Sequence, residues 1–152
     1  MKTIKGDLIQ LALNGKFDVI VHGCNCYNTM GAGIAKEIKR VFPEAYEADC
    51  KTQKGQKGKL GSFSHANVKR GKHDIIVVNA YTQHKYWGEG RHVDYNAVFY
   101  AFEKIKDKFT GKRFGIPLIG AGLAGGFLKI IEAYIRDAMK GEDIIVVEYK
   151  PA

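Results

Sequence analysis

The chain has 152 residues, close to the usual size of one compact domain, and 45% of them are hydrophobic, enough for a core. Its formal net charge of +8 favours an anionic partner, although a solvated lysine-rich surface would give the same total. No stretch approaches the roughly 20 consecutive apolar residues of a membrane span. The three cysteines and the lack of a signal peptide favour a cytoplasmic protein without a membrane partner.

Apolar runs alternate with helical patterns along the chain. Strands are predicted at residues 1–5, 18–21, 62–68, 74–81, 113–119 and 143–149. Apolar residues at helical spacing predict helices after Asp7, Gly33 and Asp94 and around residues 130–135, and Pro43 either ends the second helix or starts another. Residues 51–59, rich in lysine, are predicted to form a surface loop, and residues 82–92 a functional or disordered loop.

This alternation predicts an α/β fold in which layers of helices surround a largely parallel sheet. Neither an internal repeat nor a linker is visible, so we expect one domain over residues 1–152.

Two glycine-rich loops share one design, because each follows a predicted strand and leads into a helix. They are residues 30–35 (MGAGIA) and residues 120–126 (GAGLAGG). A backbone without side chains lets a phosphate approach closely, and the free N–H groups at a helix start attract negative charge. The two loops can therefore clamp a diphosphate, although tight turns that only pack a helix on the sheet would use glycine as well. The common dinucleotide pattern fails at Lys36, and no nucleoside triphosphate loop is present.

Longer strings are more specific than these loops alone. The string HGCNC at residues 22–26, with residues 30–35 after it, resembles the first ligand loop of macro domains, and residues 117–126 (PLIGAGLAGG) resemble their second. Gly6 and Asp7 match as well, so the resemblance covers residues 4–149. It is greatest to the branch with fungal ADP-ribose-1″-phosphate phosphatases, terminal ADP-ribose glycohydrolases and phage macro domains.

The resemblance implies a macro-domain three-layer α/β/α sandwich around a mixed, largely parallel sheet of about six strands. It also implies a monomer that binds ADP-ribose without a cofactor, located in the host cytoplasm if a phage encodes it. Asp7 would accept a hydrogen bond from the adenine amino group, or only cap a helix. Asn25 would bond the distal ribose, or stabilise its own turn, and Tyr149 would cover the adenine, or pack. The implied ligand-binding set is Asp7, Leu8, Asn25, Gly31, Ala32, Gly33, Ile34, Ala35, Gly120, Ala121, Gly122, Leu123, Ala124, Gly125 and Tyr149.

Catalytic residues are harder to assign. Ala35 and Ala124 stand where related hydrolases carry aspartates. His22 aligns with a histidine implicated in the fungal phosphatase reaction, and an imidazole can deprotonate water near neutral pH. We therefore expect His22 and Asn25 to be catalytic, with His84 as a weaker candidate, although His22 can also be a histidine satisfied by the backbone. The cysteines lack zinc-site spacing, so no metal is expected.

These observations favour hydrolysis of ADP-ribose 1″-phosphate to ADP-ribose and phosphate. A non-catalytic reader of ADP-ribose or of ADP-ribosylated macromolecules, and an ADP-ribosyl glycohydrolase, are alternatives. A nucleic-acid-binding domain is a further alternative, because Trp87 beside Lys85 and Tyr86 resembles a platform on which a base can stack.

Overall fold

The computed structural model describes residues 1–120 and 124–151. Within them, six strands form one sheet in the order β1-β6-β5-β2-β4-β3. All neighbouring strands are parallel except the antiparallel pair β3 and β4. The strands are β1 (Lys2–Gly6), β2 (Val19–Cys24), β3 (Phe63–Arg70), β4 (His73–Tyr81), β5 (Arg113–Ile116) and β6 (Asp143–Tyr149).

Helices cover both faces of this sheet. They are α1 (Leu8–Leu13), α2 (Gly33–Val41), α3 (Pro43–Cys50), α4 (Tyr95–Phe109) and α5 (Leu128–Ala138), with a short 3₁₀ helix at Lys57–Lys59. Along β2, Val19 and Val21 pack with α4 and α5, whereas Ile20 packs with α1, α2 and α3. The predicted α/β/α sandwich around a mixed, largely parallel sheet is therefore confirmed.

Local signals set several helix ends. The Asp7 carboxylate accepts a hydrogen bond from the backbone N–H of Gln10 at 3.1 Å, and Asp94 caps α4 through the N–H of Ala97 at 3.0 Å. Pro43 occupies the first turn of α3, where its missing N–H costs no hydrogen bond, so it starts a separate helix.

Two strands differ from the prediction by three residues at their carboxyl ends, and both of these ends lie beside the candidate site. β2 was expected to end at Val21, but His22, Gly23 and Cys24 continue the ladder opposite residues 79–81 of β4. β5 was expected to reach Ile119 but ends at Ile116. β2 pairs with β5 only through Val19 and Ile20. These two neighbours therefore separate towards their carboxyl ends.

A buried chain of hydrogen bonds ties β2 to β4 and α3. The His22 side chain is fully buried, and its Nε2 donates to Oδ1 of Asn79 at 2.7 Å, since an amide oxygen only accepts. Nδ2 of Asn79 in turn donates to the carbonyl of Ala45 in α3 at 2.9 Å. Burial lowers the pKa of His22 to about 4, and the bond to Asn79 offsets only part of that decrease.

This burial predicts a loss of stability in acid. Between the ordinary pKa of 6.5 and the folded value of about 4, the unfolded chain binds a proton at His22 that the folded protein does not. The free energy of unfolding should therefore fall by about 3 kcal/mol as the pH drops through this window, with no contribution from His22 above it.

The measurement is urea unfolding of the wild type and of His22→Gln across this pH range. The His22→Gln variant should be less stable than the wild type at neutral pH, but the side chain that replaces the imidazole does not titrate in this range. The difference in the free energy of unfolding between the two proteins should therefore shrink as the pH falls. A difference that stays constant from neutral pH down to the folded pKa would contradict the assignment.

Candidate functional site

The strand order places a crevice between β2 and β5. From β2 the chain continues to β3 and β4 on one side, whereas from β5 it continues to β6 on the other. Such a reversal leaves a gap outside the carboxyl ends of the strands, where α/β proteins bind ligands. The loops after β2 and β5, which carry the two glycine-rich stretches, border this gap.

The first cavity in the crevice has a volume of about 520 Å³ and lies against α1 and β6. Asp7 stands at its edge, Leu8 forms part of its buried floor, and Tyr149 lies at its rim with 72% of its surface exposed. The lining residues are Asp7, Leu8, Ile9, Gln10, Gly33, Ile34, Glu37, Arg40, Pro117, Leu118, Val147 and Tyr149.

The second cavity has a volume of about 810 Å³ and lies over the ends of β2 and β4. Its wall is formed mainly by small and uncharged side chains. They are Gly23, Cys24, Asn25, Thr29, Gly31, Ala32, Ile34, Ala35, Thr82, Gln83, Tyr86, Gly88, His92, Pro117, Leu118, Ile119, Gly120 and Ala124.

The two cavities share Ile34, Pro117 and Leu118 and therefore form one elongated cleft. The start of α2 lies at this junction. Its N-cap residue, Ala32, has no side chain that could accept a hydrogen bond from the first turn. The opening N–H groups of a helix have no partner within the helix, so those of Gly33, Ile34 and Ala35 are available to an anion.

Asn25 is the first residue after β2 to reach the second cavity. Its Oδ1 accepts a hydrogen bond from the N–H of Tyr27 at 2.8 Å, and its Nδ2 donates to the hydroxyl of Thr29 at 2.8 Å. The side chain thus stabilises the turn, and the second lone pair of Oδ1 remains able to accept from a ligand hydroxyl.

A buried lysine supports this turn from beneath. Lys59 is only 8% exposed, and its Nζ donates to the carbonyl of Cys26 at 3.1 Å and to Oδ1 of Asn28 at 2.7 Å. The same ammonium lies 4.6 Å from the ring centre of Tyr81, whose hydroxyl donates to the buried Asp49 carboxylate at 2.7 Å. Burial raises the pKa of Asp49. The expectation that residues 51–59 form only a surface loop is therefore wrong for Lys59.

The structure does not bring His22 into the cleft. Its ring lies on the face of β2 covered by α3, where it is bonded to Asn79, and it lines neither cavity. A fully buried imidazole held by Asn79 has no access to a substrate, so the catalytic role expected for His22 requires correction. His84 lines neither cavity, and its Nε2 is 3.0 Å from the carbonyl oxygen of Gly55.

Most of the other predicted residues line the cleft. Asp7, Leu8, Gly33, Ile34 and Tyr149 line the first cavity, and Asn25, Gly31, Ala32, Ile34, Ala35, Gly120 and Ala124 line the second. Gly125 lines neither, since its backbone lies against Arg91. Ala121, Gly122 and Leu123 lie outside the described residues.

Sequence reasoning missed His92, Thr82 and Gln83. His92 lines the second cavity, with Nε2 3.0 Å from the carbonyl oxygen of Gly88. The backbone positions it, because Gln83 bridges to Val93 and the N–H of His92 donates to the carbonyl of Ala124. The only signal in the sequence was the position of these residues after a buried strand.

The second cavity offers little charged chemistry of its own. Burial raises the pKa of the Cys24 thiol well above its ordinary value, so this thiol stays neutral. Across residues 1–120 and 124–151, no group of three His, Cys, Asp or Glu side chains could hold a metal ion. In the same residues, no helix combines the length and apolar character needed to cross a membrane.

Known proteins resemble this chain along nearly its whole length. It is 33% identical over 156 residues to a 17.5 kDa protein of Enterobacteria phage T4, with 99% of this chain and 97% of that protein aligned. It is also 44% identical to the ADP-ribose 1″-phosphate phosphatase of Aspergillus oryzae, but only over 46 residues. This aligned segment covers 30% of this chain and 21% of that enzyme.

Among solved structures, Thermosipho africanus DarTG in complex with ADP-ribose superposes with a TM-score of 0.69 at 17% identity, over 97% of this chain and 40% of that one. This likeness shows the fold. The sequence profile described as Macro domain matches residues 21–130, which contain α2, nearly all of β2 to β5 and nearly all of the second cavity. The chain therefore belongs to the macro domain family.

Proposed function

We propose that the cleft binds ADP-ribose, with the adenosine in the first cavity, the diphosphate at the start of α2 and the distal ribose in the second cavity. The observation that carries this proposal is the junction between the cavities, where a helix start without a side-chain cap faces a continuous cleft. The macro domain relationship and the ADP-ribose complex of the structural neighbour support it.

The chemistry at the two ends of the cleft agrees with such a ligand. Asp7 is a hydrogen-bond acceptor beside apolar walls, as an aminopurine ring requires. Asn25, Thr29 and Thr82 supply polar groups to the second cavity, as a ribose requires. Between the ends, Gly31 leaves open space that a phosphate can occupy.

A side chain at Gly31 should block the ligand without harming the fold. A Cβ there meets no atom within 4 Å, and the φ of Gly31 is not positive, so Gly31→Val fits the free protein. We expect Gly31→Val to weaken ADP-ribose binding about 100-fold or more, about 3 kcal/mol, in a calorimetric titration.

The matched control is Gly58→Val, at an exposed glycine with equally open surroundings and no positive φ. It should bind as the wild type does. ADP-ribose binding by Gly31→Val at wild-type affinity would refute the placement of the diphosphate.

Asp7 should select adenine through its amino group. Asp7→Ser retains an acceptor for the Gln10 N–H but no longer reaches the base, so α1 stays capped. We expect ADP-ribose to bind about 10- to 150-fold more weakly to this variant, since a hydrogen bond to a charged group contributes about 1.5–3 kcal/mol.

Inosine diphosphate ribose, which has a carbonyl in place of the amino group, tests the selectivity directly. The wild type should prefer ADP-ribose, and Asp7→Ser should bind both ligands equally. If the variant kept the wild-type preference, Asp7 would act only as a helix cap.

A second candidate function is hydrolysis of ADP-ribose 1″-phosphate. The similarity to the Aspergillus oryzae phosphatase favours it. Among the described residues that line the second cavity, His92 carries the imidazole, a group that can take up a proton from water in a positioned reaction. In this reaction a water oxygen bonds to phosphorus, its proton passes to His92, and the bond from phosphorus to the 1″ oxygen breaks. His92 then returns this proton to the leaving 1″ oxygen, which gives ADP-ribose and inorganic phosphate and restores the neutral imidazole.

Removal of this imidazole should lower turnover. We expect His92→Gln to release phosphate from ADP-ribose 1″-phosphate about 10²–10⁴-fold more slowly, with ADP-ribose affinity nearly unchanged. His84→Gln is the comparison, because His84 lies outside the cleft and its replacement should leave turnover intact.

Wild-type turnover by His92→Gln would eliminate this mechanism. Wild-type protein that binds ADP-ribose but releases neither phosphate nor the ADP-ribose of a modified protein would be a reader and not a hydrolase.

A further inference from the structure

Two aromatic side chains at the edge of the second cavity are exposed, and one of them, Tyr86, lines that cavity. Tyr86 and Trp87 lie in the loop between β4 and α4, with 54% and 48% of their surfaces open to solvent. Trp87 is the only tryptophan of the chain. Neither residue belongs to a buried cluster of the described core, so the core does not explain why large aromatic side chains stand here.

These side chains are nevertheless ordered by contacts with one another. The Trp87 ring meets the Tyr27 ring edge-on at 4.7 Å between centres and the Tyr86 ring at 5.2 Å. Tyr27 also lies 5.2 Å from the His84 ring. We call Tyr27, Tyr86 and Trp87 the aromatic rim. Such contacts hold the rings in place at little entropic cost when a flat ligand stacks on them.

A lysine-rich loop is docked directly against this rim. Within residues 51–59, the N–H of Gly55 donates to the carbonyl of Cys26, and the Gly55 backbone lies against the Tyr27 ring. The carbonyl of Gly55 also contacts His84. This loop exposes Lys51, Lys54 and Lys57 and contains no acidic residue.

The exposed charges of residues 51–59 and of the segment that carries Tyr86 and Trp87 are therefore mainly positive, although Lys51 lies beside Glu44 and Glu47. Lys85 adds a fourth exposed lysine, with its Nζ 6.0 Å from the centre of the Trp87 ring, against the single Glu89 in the same segment. In the described part of the chain, none of these four lysines forms an ion pair with a carboxylate. Unpaired exposed lysines attract a polyanion.

We propose that the aromatic rim and the lysines beside it form a binding surface for single-stranded nucleic acid. Phosphates would contact the lysines, and an unpaired base would stack on Trp87. A duplex hides the faces of its bases, and an acidic peptide has no flat ring to stack, so both fit this surface less well. The surface borders the second cavity through Tyr86 but does not use the glycine-rich loops.

Because Trp87 is the only tryptophan of the chain, its fluorescence reports directly whether a base stacks on it. A base on Trp87 should quench the intrinsic tryptophan fluorescence, so we would titrate the protein with oligo(dT) and oligo(U) of about 12 nucleotides. We expect saturable quenching whose affinity falls as salt rises. A duplex of the same length and poly-glutamate should quench far less. The absence of quenching by either single strand at low salt would overturn the proposal.

Substitutions separate stacking from charge. In anisotropy titrations with a labelled strand, Trp87→Ala should bind about 5- to 150-fold more weakly, as expected when one base no longer stacks, whereas Trp87→Phe should retain most of the affinity.

The double change Lys54→Gln with Lys57→Gln should reduce the slope of log affinity against log salt by about 0.7 for each phosphate that the variant no longer neutralises. The matched control is Lys104→Gln with Lys108→Gln on α4, which removes the same charge and should leave the slope unchanged.

The cleft supplies the last control. Trp87→Ala should bind ADP-ribose with wild-type affinity, and Gly31→Val should bind the oligonucleotide with wild-type affinity. The two variants therefore test ADP-ribose binding and oligonucleotide binding separately. Equal affinity of Trp87→Ala and wild type for the strand would leave only non-specific charge and refute the surface.

Discussion

Side-chain alternation along β2 is the constraint on which the site depends. This strand is hydrogen-bonded to β4 along its whole length and to β5 at Val19 and Ile20, and both of its faces are covered, so successive side chains enter alternate buried layers. His22 consequently lies beneath α3. Gly23 faces the other layer, where a Cβ would come within 2.7 Å of Oγ1 of Thr82. Asn25 is free to turn into the cleft only because the strand has ended at Cys24.

The loop after β2 is held by a polar network that is costly to bury. Lys59 compensates part of its lost hydration through two oxygen acceptors and the Tyr81 ring. Oδ1 of Asp49 accepts a hydrogen bond from the Tyr81 hydroxyl, whereas its Oδ2 has no hydrogen-bond partner among the described residues. Because buried charges rarely add net stability, the network is better understood as a device that fixes the position of Cys26 and Asn28. Asn28, which adopts a φ of +58°, is fixed by Lys59 and by the carbonyl of Thr52.

The loop between β4 and α4 contributes to two different surfaces. Its base is closed by the bridge between Gln83 and Val93 and by hydrogen bonds from the N–H groups of His92 and Val93 to Ala124, so its inner residues form a fixed wall of the second cavity. Further out, Tyr86 lies half in the second cavity and half in solvent, and Trp87 faces solvent beside Lys85. A narrow cleft with small residues and an exposed rim with large aromatic ones suit ligands of different shape, a compact nucleotide and an extended strand.

The sequence by itself determined the order of the six strands, the cap of α1 at Asp7 and the approximate position of the two glycine-rich loops. These features depend on local signals, namely apolar periodicity, capping side chains and glycine, which act over a few residues. Only the tertiary structure decided the positions of His22, Lys59 and His92. His22 is buried because β2 pairs with β4 for three residues more than its apolar run indicates. Lys59 is buried because its ammonium group binds oxygen atoms of Cys26 and Asn28, which lie far earlier in the chain. Such contacts join residues distant in sequence, so no local pattern records them.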